Sequence, residues 1–326
     1  MSAQPARVIP LPHRPSHRTP LGAPLESFAL EGIGDVPTEP NQCAAAEASL
    51  HEALEALGKD AQAEAARRLA DTLQTEPGNA EALLALGAIQ HARGDSIAAS
   101  ESYRRATAAD PSSWRPLYNQ ALLLESDGAS AEAIALLYHA IALGPLEAAP
   151  QFRLASILEF CGQETEARVW WKRTVSSDPS LTAAWLRLGL LELRGGRLPE
   201  SAIALENALG GDQEAADAAY HLALAHIGMG AAQEAFKALA EALHHDPNAA
   251  DAHAALVGLA LDCDDLDRAE RHEHALRALE PTPAVLSLRL AQAWALRGEL
   301  RLAQEHYKRA VQSDSSLALG YFALTL

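Results

Sequence analysis

Residues 80–113 read AEALLALGAIQHARGDSIAASESYRRATAADPSS, and the same pattern extends over most of the chain. Two segments rich in alanine are separated by Gly94, and Pro111 closes the second segment. Alanine and leucine favour helix, whereas glycine permits a left-handed turn and proline ends a helix. The stretch therefore predicts two helices joined by a turn.

This pattern returns every 34 residues without insertion or deletion, in eight repeats that start at residues 46, 80, 114, 148, 182, 216, 250 and 284. Position 15 of the repeat is glycine in six of the eight repeats, and position 32 is proline in six. Glycine at position 15 predicts a left-handed turn after the first helix. Proline at position 32 predicts the end of the second helix.

Three further positions indicate how the two helices of a repeat pack. Position 7 is mostly leucine, position 8 is mostly glycine or alanine, and position 20 is alanine in seven repeats. Small residues let two helix backbones approach closely. Position 24 is usually bulky, as in Tyr103 and Trp171, and is predicted to fill the gap beside the small residues.

These columns resemble the tetratricopeptide-repeat (TPR) signature, W-x2-L-G-x2-Y followed by A-x3-F, then A, then P. The residues that carry the resemblance are Trp185, Leu188 and Gly189 for its first half, and Ala99, Tyr103, Ala106 and Pro111 for its second. The resemblance covers residues 46–317. It implies an all-α, right-handed α-solenoid of about eight helix-turn-helix units that acts as a non-catalytic scaffold or adaptor for protein–protein interaction.

The segments outside this array differ in composition. Residues 1–45 contain eight prolines, which predicts a disordered or extended arm. This arm either folds back into the groove of the array, or is read by another protein, or is a passive tail. Residues 318–326 begin a further first helix or cap, and this apolar C-terminal stub is a candidate surface for self-association.

The repeat that starts at residue 250 departs from the pattern. It has Val257, Asp264, Glu273 and Leu276 where a small residue, glycine, a bulky apolar residue and alanine are expected. The sequence therefore predicts looser packing in this repeat.

Composition excludes several classes of partner. The net charge of −17 opposes binding to nucleic acid or to anionic lipid. No apolar run approaches the length of a membrane span, so membrane insertion is not expected. The three cysteines, Cys43, Cys161 and Cys263, are far apart and match no disulfide or zinc pattern, which favours the cytoplasm.

No catalytic motif stands out. The sequence contains no Walker, HExxH or GxSxG motif, so no catalytic, cofactor-binding or metal-binding residues are predicted. The aspartates between residues 262 and 267 are interpreted as a solvated turn, and the thirteen histidines as surface residues. The chain is therefore predicted not to be an enzyme.

The first helices of stacked repeats would line a concave groove, with positions 2, 5, 9 and 12 on one stripe. An apolar lining with a few arginines predicts a groove for an amphipathic helix or an extended apolar peptide with an acidic flank. The alternative is that these residues pack between repeats or against the arm. The candidate groove residues are Tyr118, Phe152, Leu186, Tyr220, Leu190, Arg115, Arg153 and Arg187.

Trp170 is a secondary candidate for partner contact. Because Trp171 already occupies position 24, Trp170 either faces outward or is buried against the adjacent repeat. Two other functions remain open from the sequence: a regulatory or assembly subunit of an enzyme or secretion complex, and the repeat portion of a larger transferase.

Overall fold

A computed structural model describes residues 61–210 and 215–314, which form fifteen α-helices and, within these ranges, no strand. The chain divides into two compact units, an N-terminal unit ending at Pro179 and a C-terminal unit beginning at Ser180. The helices of the N-terminal unit are α1 (Ala61–Thr75), α2 (Ala80–Ala92), α3 (Ser96–Ala109), α4 (Arg115–Ser126), α5 (Ser130–Leu143), α6 (Ala148–Phe160) and α7 (Glu164–Ser177). Those of the C-terminal unit are α8 (Thr182–Arg194), α9 (Leu198–Ala208), α10 (Ala215–Gly228), α11 (Ala232–His245), α12 (Ala250–Asp262), α13 (Leu266–Leu279), α14 (Ala284–Leu296) and α15 (Leu300–Ser313).

Successive helices pack as antiparallel pairs within each unit, so the prediction of an all-α fold built from helix pairs is confirmed. The first helices of the pairs begin at Ala80, Arg115, Ala148, Thr182, Ala215, Ala250 and Ala284. The 34-residue register of the sequence is therefore the register of the helix pairs. The proline-rich arm, the predicted first helix of the repeat at residue 46 and the C-terminal stub lie outside the described residues.

The turn between the two helices of a pair has the predicted left-handed residue. Glycine at position 15 has a positive φ, of which Gly94 at 79° is an example. The same position in the repeat at residue 250 is Asp264, which has a φ of 57° without the freedom of glycine.

Gly94→Ala is expected to lower the free energy of unfolding by about 1 kcal/mol, because L-residues are strained at this φ. A Cβ at Gly94 would meet no atom within 4 Å, so the loss comes from the backbone alone. Gly78→Ala is the matched control, since Gly78 is equally open but does not have a left-handed φ. Urea unfolding followed by circular dichroism measures both variants. Equal losses in the two would show that the turn conformation is not the cause.

The helices of a pair approach closely at position 8, as the sequence predicts. A Cβ at Gly87 would lie 2.5 Å from the Tyr103 ring, and one at Gly189 would lie 2.6 Å from Leu205 Cγ. The bulky residue at position 24 thus occupies the space that the small residue leaves. Ala99, at position 20, is completely buried in this contact.

The residues that depart from the pattern in the repeat at residue 250 do not open its core. Val257, Glu273 and Leu276 are all buried, with Val257 and Leu276 in one apolar cluster. Thr282 Oγ1 donates a hydrogen bond of 3.2 Å to the Glu273 carboxylate. A polar partner supplied from outside the helix therefore lets a carboxylate occupy a core position.

None of the described helices exceeds 15 residues, and none combines the length and hydropathy needed to cross a bilayer.

Candidate peptide-binding surface

The predicted groove residues fall in both compact units. Arg115, Tyr118, Phe152, Arg153 and Trp170 lie in the N-terminal unit, and Leu186, Arg187, Leu190 and Tyr220 lie in the C-terminal unit. Each set belongs to the surface of its own unit.

The aromatic candidates of the N-terminal unit are engaged within their own repeats. Tyr118 is only 3% exposed and lies edge-on to Trp114, with ring centroids 5.7 Å apart. Phe152 is half-buried and lies edge-on to Trp171 at 4.8 Å. These rings stabilise the repeats and leave little surface for a ligand.

Two arginines of this unit pair with carboxylates that the sequence does not indicate as their partners. Arg115 pairs with Glu81 at 3.6 Å, and Arg153 pairs with Glu125 at 3.5 Å. Burial raises the pKa of Glu125, and the Arg153 guanidinium opposes that rise. Since Arg115 and Arg153 already face carboxylates from the preceding repeat, the geometry does not favour their predicted role toward an acidic ligand.

Trp170 is buried in the structure. Its side chain is 8% exposed, lies edge-on to Tyr138 of the preceding repeat at 5.7 Å, and carries the Arg173 guanidinium 4.6 Å from its ring centroid. Trp170 is thus a packing residue, and the outward-facing alternative is wrong.

The C-terminal unit has a different surface at the same repeat positions. Positions 5, 9 and 12 are apolar in both α8 and α10, and all six side chains are half-buried. Residues spaced by three or four share one face of a helix. Four of the six pack against a single core cluster that extends from α9 to α12. The apolar strip, as we name this surface, consists of Leu186, Leu190, Leu193, Tyr220, Leu224 and Ile227.

Two polar side chains at position 6 flank the apolar strip. Arg187 is half-buried and forms no ion pair within the described ranges. His221 Nδ1 lies 2.8 Å from the Asp217 carbonyl oxygen, and burial lowers the pKa of His221, so this ring is neutral at pH 7. Of these two position-6 side chains, Arg187 is therefore the one that offers a positive charge beside the strip.

Small residues end the strip at α12. Positions 5 and 9 of that helix are Ala254 and Gly258. Arg289, from α14, donates a hydrogen bond of 3.4 Å to the Gly258 carbonyl and pairs with Asp262 at 2.5 Å. An arginine thus closes this side of the strip.

The aspartate-rich turn at residues 262–267 has structural partners. Asp262 and Asp264 face Arg289 and Arg297, and Asp265 caps α13 by accepting a 3.1 Å hydrogen bond from the Arg268 amide. In the part of the chain that the structure describes, no three or more His, Cys, Asp or Glu residues are grouped to hold a metal ion.

Two histidines are buried, contrary to the expectation that all lie at the surface. His253 Nε2 is 3.2 Å from the Pro247 carbonyl oxygen and its Nδ1 is 3.0 Å from His272 Nδ1. Burial, and to a smaller extent the neighbouring His253, lowers the pKa of His272 to about 4. His306 is buried against Glu270. Rings that have fixed hydrogen-bond partners are compatible with burial.

Comparison with known families agrees with this architecture. One family model described as "Tetratricopeptide repeat" matches residues 92–148, 166–212 and 186–250, and another with the same description matches residues 226–289. Together they cover more than half of the chain. The chain belongs to the tetratricopeptide-repeat family. TPR repeats are typically non-catalytic interaction modules, so the apolar strip belongs to a fold that serves protein interaction.

Comparison with solved structures gives matches with TM-scores below 0.5. YrrB, described as a TPR protein with an unusual peptide-binding site, is 18% identical, with 56% of this chain and 95% of that chain covered and a TM-score of 0.49. PilF of Pseudomonas aeruginosa is 19% identical, with coverage of 67% and 97% and a TM-score of 0.49. A TPR protein of Parabacteroides merdae is 16% identical, with coverage of 76% and 98% and a TM-score of 0.47. No curated protein matches the sequence.

Proposed function

We propose that this TPR protein is a scaffold or adaptor that binds an amphipathic helix or an extended apolar peptide on the apolar strip. The observation that carries the proposal is the row of six half-buried apolar side chains on α8 and α10. Packing within the unit buries one side of these residues and leaves the other side exposed to solvent. A continuous apolar surface of this kind is typical of a site for a partner.

The strip also defines the chemistry of its ligand. A ligand matches the strip if its apolar side chains are three or four residues apart on a helix, or two residues apart in an extended peptide. They would then contact the two rows of the strip, one on α8 and one on α10. A single carboxylate on the ligand pairs with Arg187, because His221 is neutral at pH 7. A strongly acidic ligand is disfavoured by the net charge of −17.

The proposal keeps Leu186, Leu190, Tyr220 and Arg187 as ligand contacts and assigns packing roles to the candidates of the N-terminal unit. It places the protein in the cytoplasm, which is supported by Cys161 and Cys263, both exposed and unpaired.

Tyr220→Ala is expected to weaken peptide affinity by about 30-fold, since aromatic anchors at interface centres contribute about 2 kcal/mol or more. Leu190→Ser is expected to weaken it by about tenfold, because it places a hydroxyl against apolar ligand surface. The probe is a peptide selected by the wild-type protein from a random library, with affinity measured by isothermal titration calorimetry.

Ile203→Ser is the matched control, because Ile203 is 59% exposed on the second helix α9 of the same unit. Its affinity should equal that of the wild type. Circular dichroism confirms that each variant is folded. If the selected peptides bind Leu190→Ser and Tyr220→Ala as tightly as the wild type, the strip is not the ligand site.

A further inference from the structure

The helix pairs α12–α13 and α14–α15 meet through a junction that combines an apolar cluster with several ion pairs. One continuous apolar cluster joins α9, α10, α11 and α12, so the preceding junctions in this unit are apolar. By contrast, Ala303 and Tyr307 of α15 lie in a separate cluster with Ala291 of α14. The apolar contact across this junction comes from Leu286 and Leu290 of α14.

Polar and charged side chains from the two pairs also meet at this junction. Four carboxylates of the α12–α13 pair, or of the turn between its helices, face four basic side chains of the α14–α15 pair. The pairs are Asp262 with Arg289 at 2.5 Å, Asp264 with Arg297 at 3.3 Å, Glu270 with His306 at 2.7 Å and Glu273 with Arg309 at 3.5 Å. We name these eight residues the clasp.

Glu273 is the most deeply buried carboxylate of the clasp, at 1% exposure. Besides Thr282, it faces Arg309 of α15 and, at 3.9 Å, Arg277 of its own helix. A buried carboxylate costs several kcal/mol unless it is paired. Removing α15 would leave Glu273 without Arg309, so docking of α14–α15 and charge compensation of Glu273 occur together.

Glu270 and His306 form the second buried contact. Glu270 Oε1 accepts hydrogen bonds from His306 Nε2 at 2.7 Å and from Trp294 Nε1 at 2.6 Å. The Arg309 guanidinium lies 3.3 Å from His306 Nδ1. Because a guanidinium only donates, Nδ1 is the acceptor and Nε2 carries the proton toward Glu270.

We propose that α14–α15 is a releasable helix pair, which the clasp holds on α12–α13 at neutral pH and moderate salt and frees in acid or at high salt. The proposal is independent of ligand binding to the apolar strip. Asp262, Asp264 and Arg297 are exposed or partly exposed, so their interactions are screened by salt. Release separates Leu286 and Leu290 from Val257 and Leu276.

The direction of the pH effect follows from Glu270. The hydrogen bond from His306 lowers the pKa of Glu270 from its ordinary value of 4.5, and Trp294 and Arg309 contribute further. A lowered folded-state pKa means that this carboxylate stabilises the docked state above pH 4.5 and loses its effect as the pH falls through the lowered value. Two other carboxylates contact the same Arg309: Glu273 at 3.5 Å and Glu305 at 3.9 Å.

Hydrogen–deuterium exchange of the full chain tests the proposal. Raising NaCl from about 0.05 M to about 1 M should increase exchange in α14 and α15 by about tenfold, as should lowering the pH below the lowered pKa of Glu270, after correction for intrinsic rates. The pair α10–α11 is the internal control and should stay protected. Salt-independent exchange in α14–α15, or an equal rise in α10–α11, would overturn the proposal.

A pair of variants tests the role of Glu273 directly. Arg309→Met leaves Glu273 buried without that partner and should raise exchange in α14–α15 by about tenfold at low salt. Glu273→Leu in the same chain restores the apolar residue typical of position 24 and should return exchange to the wild-type level. Arg301→Met is the matched control, because Arg301 is 92% exposed on the same helix. If the double variant exchanges as fast as Arg309→Met alone, the clasp is not what holds the pair.

Discussion

Trp171→Ala is expected to lower the free energy of unfolding by about 3–5 kcal/mol, the largest effect of any substitution considered. Trp171 is fully buried at position 24 of its repeat and lies edge-on to Phe152. Its indole Nε1 donates a 3.0 Å hydrogen bond to the Glu159 carboxylate. Truncation removes the largest side chain of this helix contact, leaves a cavity, and deprives Glu159 of a donor.

Urea unfolding followed by far-ultraviolet circular dichroism measures this loss without depending on tryptophan fluorescence. Val169→Ala is the matched control, because Val169 lies on the same helix and is 47% exposed. It should change stability by no more than about 0.5 kcal/mol. A Trp171→Ala protein as stable as Val169→Ala would mean that position 24 does not lie between the paired helices.

Leu188→Ala is expected to lower the free energy of unfolding by about 2–5 kcal/mol. Leu188 is buried at position 7 of α8, beside Gly189, where the two helices of the pair are closest. The same helix presents Leu186 and Leu190 on the apolar strip. Position 188 therefore contributes to stability, whereas position 190 is proposed to contribute to binding.

Comparing Leu188→Ala with Leu190→Ala separates these two roles. The half-buried Leu190 should lose no more than about 1 kcal/mol of stability, and thermal or urea unfolding measures both variants. If Leu190→Ala is as destabilising as Leu188→Ala, the strip is part of the core and its proposed exposure to a ligand is contradicted.

The fold was predictable because its determinants are local and recur. Gly94 sets a turn through its own φ, and Gly87 makes room for Tyr103 only sixteen positions away in the same repeat. The same residue types recur 34 residues later, so a single sequence shows the same packing requirement several times.

The binding surface was only partly predictable because exposure depends on partners in neighbouring repeats. Leu186, Leu190 and Tyr220 were found from their shared stripe, but the same stripe in the N-terminal unit is buried at Tyr118. The sequence around Arg153 does not indicate that Glu125 of the preceding repeat pairs with it. Position 12 is apolar at Leu193 and Ile227 but polar in α2, α4 and α6, and this difference is the sequence signal for the apolar strip.

The burial of Glu273 shows the same limit for the core. Glu273 is a carboxylate at a repeat position where a bulky apolar residue is usual, so the sequence predicted a packing defect there. The compensating groups, Thr282 and Arg309, lie 9 and 36 residues further along the chain. Only the three-dimensional arrangement identifies them as partners.

Photo-cross-linking locates the ligand most directly. With Leu190 replaced by p-benzoylphenylalanine, irradiation should cross-link the selected peptide, and with Ile203 replaced in the same way it should not. The positions of the cross-links are read by mass spectrometry after proteolysis. Cross-linking from position 190 in α8 and not from position 203 in α9 is the result expected for a ligand on the apolar strip. Cross-linking from position 203 alone would place the ligand on the second helices and contradict the proposed site.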